Sequence, residues 1–364
     1  MATSETLSSL LDRLANLEPG PFPIVSLYLN LQANERGRDS FEPFLRKELD
    51  ARIETYPATG PERDSLERDA ARIRDFMAGQ VNRSANGLAL FASNGGGLFE
   101  TAQVAAPIDE HELYVSPEPH LYPLARLLDE HPKYALVIAD AHDARILVCA
   151  AGEVTREDAI SGPKTRRHKM GGWSQARYQR HIENEHLHHA REAADALQRI
   201  VRAEAIASIV LAGDTAMLER VRESLADDVA GRIVDAVKAA KYASLAEILD
   251  AAEKAMRQQD AQTDRERVDA LLDAYRASGL ACVGLPATRK AFERGQVEEL
   301  VIAAQRDAIL PGVPSAPGSQ APDAAAGDEL VAQARKTSAR IRFIEDAALL
   351  APAGGVGAFL RFKV

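Results

Sequence analysis

Apolar positions recur along this chain in two rhythms, one near helical spacing and one in short unbroken runs, and their alternation predicts a mixed α/β protein. Ser8 to Leu17 reads as a short helix and Phe22 to Leu29 as a buried strand. From Phe41 to Tyr56 the apolar residues Phe41, Phe44, Leu45, Leu49 and Ile53 fall near helical spacing, and Arg63 to Met77 continues in the same manner. Asn86 to Ser93 and Gly97 to Val104 read as a hairpin around Asn94-Gly95-Gly96, a strong turn signal. Two helices on a small sheet then make an N-terminal α/β domain over residues 1–119.

A middle domain, residues 120–262, opens with a helix at Leu121 to Glu130. Strands follow at Tyr134 to Asp140 and Ala144 to Ala150, joined by Ala141-His142-Asp143. Asp140 ends a buried strand, where α/β folds carry catalytic carboxylates, although such an aspartate more commonly just forms the turn. Ile182, His186, Ala190, Ala194, Leu197 and Val201 follow steps of three and four, so a long helix runs to about Ala203. Ser208 to Gly213 reads as a strand and Asp214 to Leu225 as a helix. The turn Leu211-Ala212-Gly213-Asp214 lacks the further glycines or lysine of a nucleotide fingerprint and is read as structural.

Ser244-Leu245-Ala246-Glu247 and Thr263-Asp264-Arg265-Glu266 both have the capping-box pattern, in which hydroxyl and carboxylate satisfy each other's free amides, and both are read as helix starts. The second opens a third domain, residues 263–364. Strands at Ala281 to Gly284 and Glu299 to Ala303 flank a helix at Ala287 to Arg294, and a low-complexity loop spans Pro311 to Gly327. A helix at Glu329 to Arg340 and strands at Arg342 to Ile344 and Gly357 to Phe362 finish the chain.

A chain of 364 residues with 46% hydrophobic content is long enough for three such domains. Its formal net charge of -10 repels phosphate over most of the surface, which excludes nonspecific coating of nucleic acid. The two cysteines, Cys149 and Cys282, each sit in an apolar run and read as buried free thiols of a reducing, cytoplasmic compartment rather than as a disulfide or metal pair. The first residues carry Asp12 and Arg13 and do not form a signal peptide, and no stretch approaches the roughly 20 apolar residues of a membrane span.

Against this acidic background stands the stretch Lys164 to His181. Lys164, Arg166, Arg167, Lys169, Arg177 and Arg180 put six fixed positive charges around Gly171-Gly172, and a polyanion is the natural partner for them. Paired glycines allow positive φ and close approach to another molecule. Gln175 follows, an amide that donates and accepts at once, at the head of the long helix. It is able to position a water or a ribose hydroxyl but not to ionise one. The loop holds no carboxylate, the nearest acids being Asp158 and Glu183. A solvated basic turn is the plainer alternative. Arg177 and Arg180, three apart on one face of the first helical turns, oppose the helix dipole, a cost better explained by a phosphate partner. The histidines His181, His186, His188 and His189 have no Cys or acidic pattern to complete a metal site and read as polar helix residues; neither metal nor cofactor is expected.

Basic residues, a glycine pair, a glutamine and then an Arg-rich amphipathic helix resemble the Gly-Gly-Gln loop of the archaeo-eukaryotic peptide-chain release factors, and most closely their bacterial, Vms-like relatives. Here the motif reads Gly171-Gly172-Trp173-Ser174-Gln175, two residues longer than the standard form. Lys290 to Ile302 and Gly354 to Phe362 resemble stretches of the C-terminal domain of release factors and Pelota, which implies an α/β/α fold like that of kink-turn proteins. The middle domain would be a mixed sheet with flanking helices that carries the loop. The first domain has neither the Asn-Ile-Lys-Ser tetrapeptide nor the Tyr-x-Cys-x-x-x-Phe pattern of stop-codon decoding.

The resemblance implies a ribosome-associated factor of rescue or quality control. Gly171 and Gly172 would admit the CCA end of peptidyl-tRNA, and Gln175 would hold the water that hydrolyses the peptidyl ester. Lys164, Arg166, Arg167, Lys169, Ser174, Arg177 and Arg180 would contact rRNA or tRNA, and Trp173 would stack on a base or anchor the loop. A translational GTPase is a candidate partner; no membrane and no DNA is implied. The alternative is a non-catalytic factor that occupies the A site of idle or stalled ribosomes.

Overall fold

The computed structural model describes residues 4–33, 41–82, 84–161, 175–237, 243–311 and 325–363. It divides into two compact units, Met1–Pro132 with Thr263–Val364, and Lys133–Gln262. Three mixed or antiparallel sheets and their flanking helices confirm the α/β class, and no described helix is long and apolar enough to cross a membrane.

The chain begins with α1 (Ser4–Ala15), β1 (Ile24–Asn30), α2 (Phe41–Glu54) and α3 (Pro61–Gly79). A hairpin of β2 (Gly87–Ser93) and β3 (Leu98–Val104) follows, then β4 (Glu112–Ser116) and α4 (Tyr122–Glu130). The strands form an antiparallel sheet in the order β3-β2-β1-β4. Leu27, Leu29, Leu88 and Leu90 pack on one face against Leu45, Leu49, Leu66, Ile73 and Phe76 of the two helices. Tyr28 and Phe91, from the opposite face, are just as buried, so β1 and β2 read as unbroken apolar runs. The hairpin loop is tied to α3, with the Asn94 amide donating to Asp69 Oδ2 (3.0 Å) and that of Gly95 to Ser65 Oγ (2.8 Å). Only glycine fits at position 95, since a Cβ there would lie 2.3 Å from the Phe22 ring.

The second unit contains β5 (Tyr134–Ala139), β6 (Asp143–Ala150), β7 (Glu153–Ser161) and α5 (Gln175–Ala203). Next come β8 (Ser208–Gly213), α6 (Thr215–Ser224), the short α7 (Asp227–Ala230), β9 (Ile233–Val237) and the first half of α8 (Leu245–Arg276). Its sheet runs β7-β6-β5-β8-β9, antiparallel on the β6 side and parallel through β5, β8 and β9. Val137, Ile146, Val148, Ile209 and Leu211 pack under Ala190, Ala194, Leu197 and Val201 of α5 and Val221 of α6. Leu136, Leu147, Val210 and Ala212 point the other way, onto Ile248, Ala252 and Met256 of α8. A sheet covered on both faces is the result.

The remaining elements are β10 (Ala281–Val283), α9 (Leu285–Glu293), β11 (Val297–Ala303), α10 (Ala326–Lys336), β12 (Arg340–Ile344), α11 (Ala347–Leu350) and β13 (Val356–Leu360). They build a sheet in the order β10-β13-β11-β12, with β11 and β12 parallel and β13 antiparallel to its neighbours. The capping-box reading of Ser244 holds, its hydroxyl and amide both bonded to Glu247. That of Thr263 does not. α8 passes through it without a break, because the flanking Gln, Ala and Arg residues favour helix and Asp264 turns aside to bond Arg342 Nε at 2.8 Å.

In the first unit one buried node joins the N-terminal sheet to α10. Asp328, in the first turn of α10, accepts from the amides of Leu121 (2.8 Å) and Tyr122 (2.9 Å) with Oδ1 and from His120 Nδ1 with Oδ2. The His120 amide donates to Ser26 Oγ on β1 (2.9 Å), and Tyr28 Oη donates to the His120 carbonyl (2.6 Å). Nearby, the Tyr122 hydroxyl donates to the Ala303 carbonyl and the Phe343 amide to Asp129 Oδ2. Asp328→Ala therefore strands three donors at once. It should lower the stability of this unit by about 3–5 kcal/mol, read as a shift of the urea midpoint, and Asp328→Asn, which keeps one acceptor oxygen, should cost less.

Candidate functional site

Helix α5 positions whatever the basic stretch does. Its second half is locked by the apolar stripe Ala190, Ala193, Ala194, Leu197 and Val201 against the sheet. From Arg180 to His188 no residue is fully buried, with Ile182, Glu185, His186 and Leu187 half-buried. Lys164, Arg166, Arg167, Lys169, Gly171, Gly172, Trp173 and Ser174 lie outside the described residues. Gln175 is the first residue of α5, Arg177 falls in its first turn, and Arg180 is exposed one turn further on. The helical start at Gln175 that the periodicity requires is thus present. The candidate RNA-binding side chains are not seen together.

The strand that leads into the stretch is better defined. β7 ends at Ser161, paired with Asp143 of β6. Three of its charged residues are paired: Arg156 bonds Asp158 Oδ2 (2.7 Å) and Glu204 Oε1 (3.0 Å), and Arg145 bonds Glu157 (2.8 Å). Asp158, the nearest acid before the basic stretch, is hydrogen-bonded to the Arg156 guanidinium.

The other candidate residues resolve into structural roles. Asp140 Oδ1 accepts from the amides of His142 (2.8 Å) and Asp143 (2.9 Å), closing the β5–β6 turn. Burial would raise its carboxyl, but those two bonds outweigh it and the net shift is downward, which suits a turn former and not a base. Asp214 caps α6 by accepting from the Met217 amide at 3.0 Å. Gly213 before it has φ +128°, and a Cβ would lie 2.2 Å from the Ala139 carbonyl oxygen, so this glycine serves close packing of two strand ends.

Two of the four histidines sit opposite carboxylates one turn on, His181 Nε2 with Glu185 Oε1 (3.0 Å) and His188 Nδ1 with Glu192 Oε1 (3.4 Å). Among the described residues no three His, Cys, Asp or Glu side chains converge as metal ligands. Of these polar helix histidines His189 is fully buried, and neither ring nitrogen has a hydrogen-bond partner among the described residues. Its signal in the sequence was its place one step from the 186–190–194 stripe.

The comparisons with known proteins bear on this unit. Residues 119–257 match the family model described as bacterial archaeo-eukaryotic release factor family 10, a span that contains the basic stretch, Gln175 and all of α5. Comparison with curated proteins gave no match. Among solved structures the chain is similar to the archaeal translation termination factor aRF1, with 19% identity, 99% of this chain and 98% of that one covered, and a TM-score of 0.27. It is also similar to archaeal Pelota in a model of its ribosome-bound form with ABCE1 (15% identity, 100% and 96% covered, TM-score 0.43). A third is S. cerevisiae Dom34, a translation termination-like factor of RNA quality control that interacts with Hbs1 (9% identity, 76% and 79% covered, TM-score 0.44).

Burial first, and then the charges of Arg220 and His142, hold the His186 imidazole below its ordinary range. By NMR its titration midpoint should fall under the usual value of about 6.5, and Arg220→Gln should move it upward.

Proposed function

We propose that the chain, whose residues 119–257 match the family model of bacterial archaeo-eukaryotic release factors, acts on the ribosome to hydrolyse the peptidyl-tRNA ester in rescue or quality control. The observation that carries this reading is the coincidence of three things at one place in the sequence. The family match, the glycine pair with its glutamine, and the start of the core-anchored helix α5 all meet at Gln175.

In this reading Gly171 and Gly172 let backbone approach the CCA end. The Gln175 amide accepts from the attacking water and donates to the terminal ribose or the ester, so that an oxygen lone pair faces the carbonyl carbon. Orientation of this kind supplies much of a barrier without an ionised base, in keeping with an Asp158 engaged elsewhere and an Asp140 committed to its turn. The six cations hold rRNA or tRNA phosphate. Trp173 and Ser174, the two added residues, lengthen the reach of the loop before Gln175. That same lengthening favours the second reading, a factor that fills the A site of idle or stalled ribosomes without hydrolysis. A translational GTPase would deliver either form.

Release of nascent peptide from bacterial ribosomes with peptidyl-tRNA in the P site and an empty A site tests the proposal. Gln175→Ala should slow release by about 10²–10³ while ribosome co-sedimentation persists. Tight co-sedimentation of the wild type without release establishes the A-site occupant, and absence of both overturns the ribosomal reading. If all six cations meet single-stranded phosphate, the logarithm of the binding constant should fall against that of salt with a slope up to about -4, and each charge-removing variant should flatten it by about 0.7.

A further inference from the structure

The first unit holds two clusters of ionisable groups at the joint of its N-terminal and C-terminal parts, and each has more carboxylates than cations. In the first, His120, 4% exposed, lies among Asp328 of α10, Glu112 and Tyr114 of β4, Tyr28 of β1, and Arg306 of the short turn after β11. Arg306 donates to Glu112 Oε1 (3.2 Å) and to the Tyr114 hydroxyl, and its Nη1 lies 2.8 Å from His120 Nε2. With a neutral imidazole this buried group carries two carboxylates and one guanidinium. A proton on His120 balances it.

The proton has a place prepared. Glu112 Oε2 lies 3.7 Å from His120 Nε2 and is buried with no hydrogen-bond partner among the described residues. A protonated Nε2 turns to it and gives up the bond from Arg306. Burial pulls the imidazole down, yet the hydrogen bonds to Asp328 and Glu112 outweigh burial and Arg306, so its net shift is upward.

The second cluster is on α4. Arg126 Nη2 meets Glu130 (2.6 Å), Glu345 beyond β12 (3.1 Å) and Asp109 of the β3–β4 loop (3.1 Å), three carboxylates on one guanidinium. Burial, together with hydrogen bonding to Glu345, raises the Glu130 carboxyl to about 7 against the pull of Arg126. At His120 and at Glu130 the folded form holds a proton more tightly than the unfolded chain. The stabilisation these two groups give is present below their unfolded values and is lost as pH rises through the folded ones, whereas Glu112, shifted downward, acts in the opposite sense only at lower pH.

We propose that this joint is an acid-set clasp: protons taken up at His120 and at the Glu130–Glu345 pair hold α4 and β4 against α10 and β12, and their loss loosens it. The clasp gives the unit a conformational response within the physiological range, independent of the loop chemistry of the other unit.

Hydrogen exchange of the full-length chain, corrected for intrinsic rates and compared at about pH 6 and about pH 8, reads it directly. Protection of α4 and β4 should fall about tenfold at the higher pH relative to β5 and β8 of the other unit, which serve as reference. Glu130→Gln, which mimics the protonated acid, should recover part of the high-pH protection, and Glu112→Gln should lower the NMR titration midpoint of His120. Equal pH dependence of joint and reference strands, or an unmoved profile in Glu130→Gln together with an unmoved His120 midpoint in Glu112→Gln, would overturn the clasp.

Discussion

A carboxylate at the start of a helix has two claims on it, the helix's own free amides and any donor brought from elsewhere. Asp328 answers the second, and the consequences spread through the first unit. By taking the amides of Leu121 and Tyr122 it satisfies backbone that would otherwise be buried bare between β4 and α4. With those amides held, Tyr122 reaches the Ala303 carbonyl and packs edge-on to Phe343 at 5.0 Å. His120 is likewise set where Tyr28, Ser26 and Arg306 all find it. Segments some two hundred residues apart in sequence thus share one core, because a polar group in the middle of it is saturated rather than absent.

The parts of the fold that were legible in the sequence are those where burial is two-sided or strongly striped. β1, β2, β5, β6 and β8 announce themselves as apolar runs, and α5 by its alanine and leucine stripe. β4, β7 and β9 do not, since these edge strands bury one face or less and their apolar runs are short or broken by charge, Glu112 in β4, Arg156 to Asp158 in β7 and Asp235 in β9. Thr263 misled because a capping box is a local pattern, and a hydroxyl with a glutamate three residues on is equally at home inside a helix whose neighbours favour it. Nothing local announces the node around His120. It is built from residues on β1, β4, α10 and the turn after β11 that meet only in three dimensions.

For the candidate site the balance is reversed. Glycine pair, glutamine and surrounding cations form a contiguous motif that is plain in the sequence, whereas the structure contributes its setting: a β7 whose Arg156, Glu157 and Asp158 are in ion pairs, an Asp140 committed to its turn, and a helix beginning at Gln175. That setting narrows the chemistry. With Asp140 and Asp158 hydrogen-bonded elsewhere, positioning by an uncharged amide is the chemistry the proposal rests on, and the six cations of one short stretch stand out against a net charge of -10.

From Arg180 to His188 α5 has no fully buried residue, and from His189 onward its inner face is buried, which makes the helix a cantilever. The root is clamped from Ala190 onward, and Gln175 stands fifteen residues, about 22 Å, ahead of it. A beam of that length multiplies any tilt at its root, so that an error of about five degrees displaces the tip by about 2 Å. A misplacement of about 1 Å is enough to cost a positioning catalyst a hundredfold in rate. Small alanines at the clamp, which let helix and sheet approach closely and leave little play, would in the proposed role aim the glutamine as much as any residue that touches it.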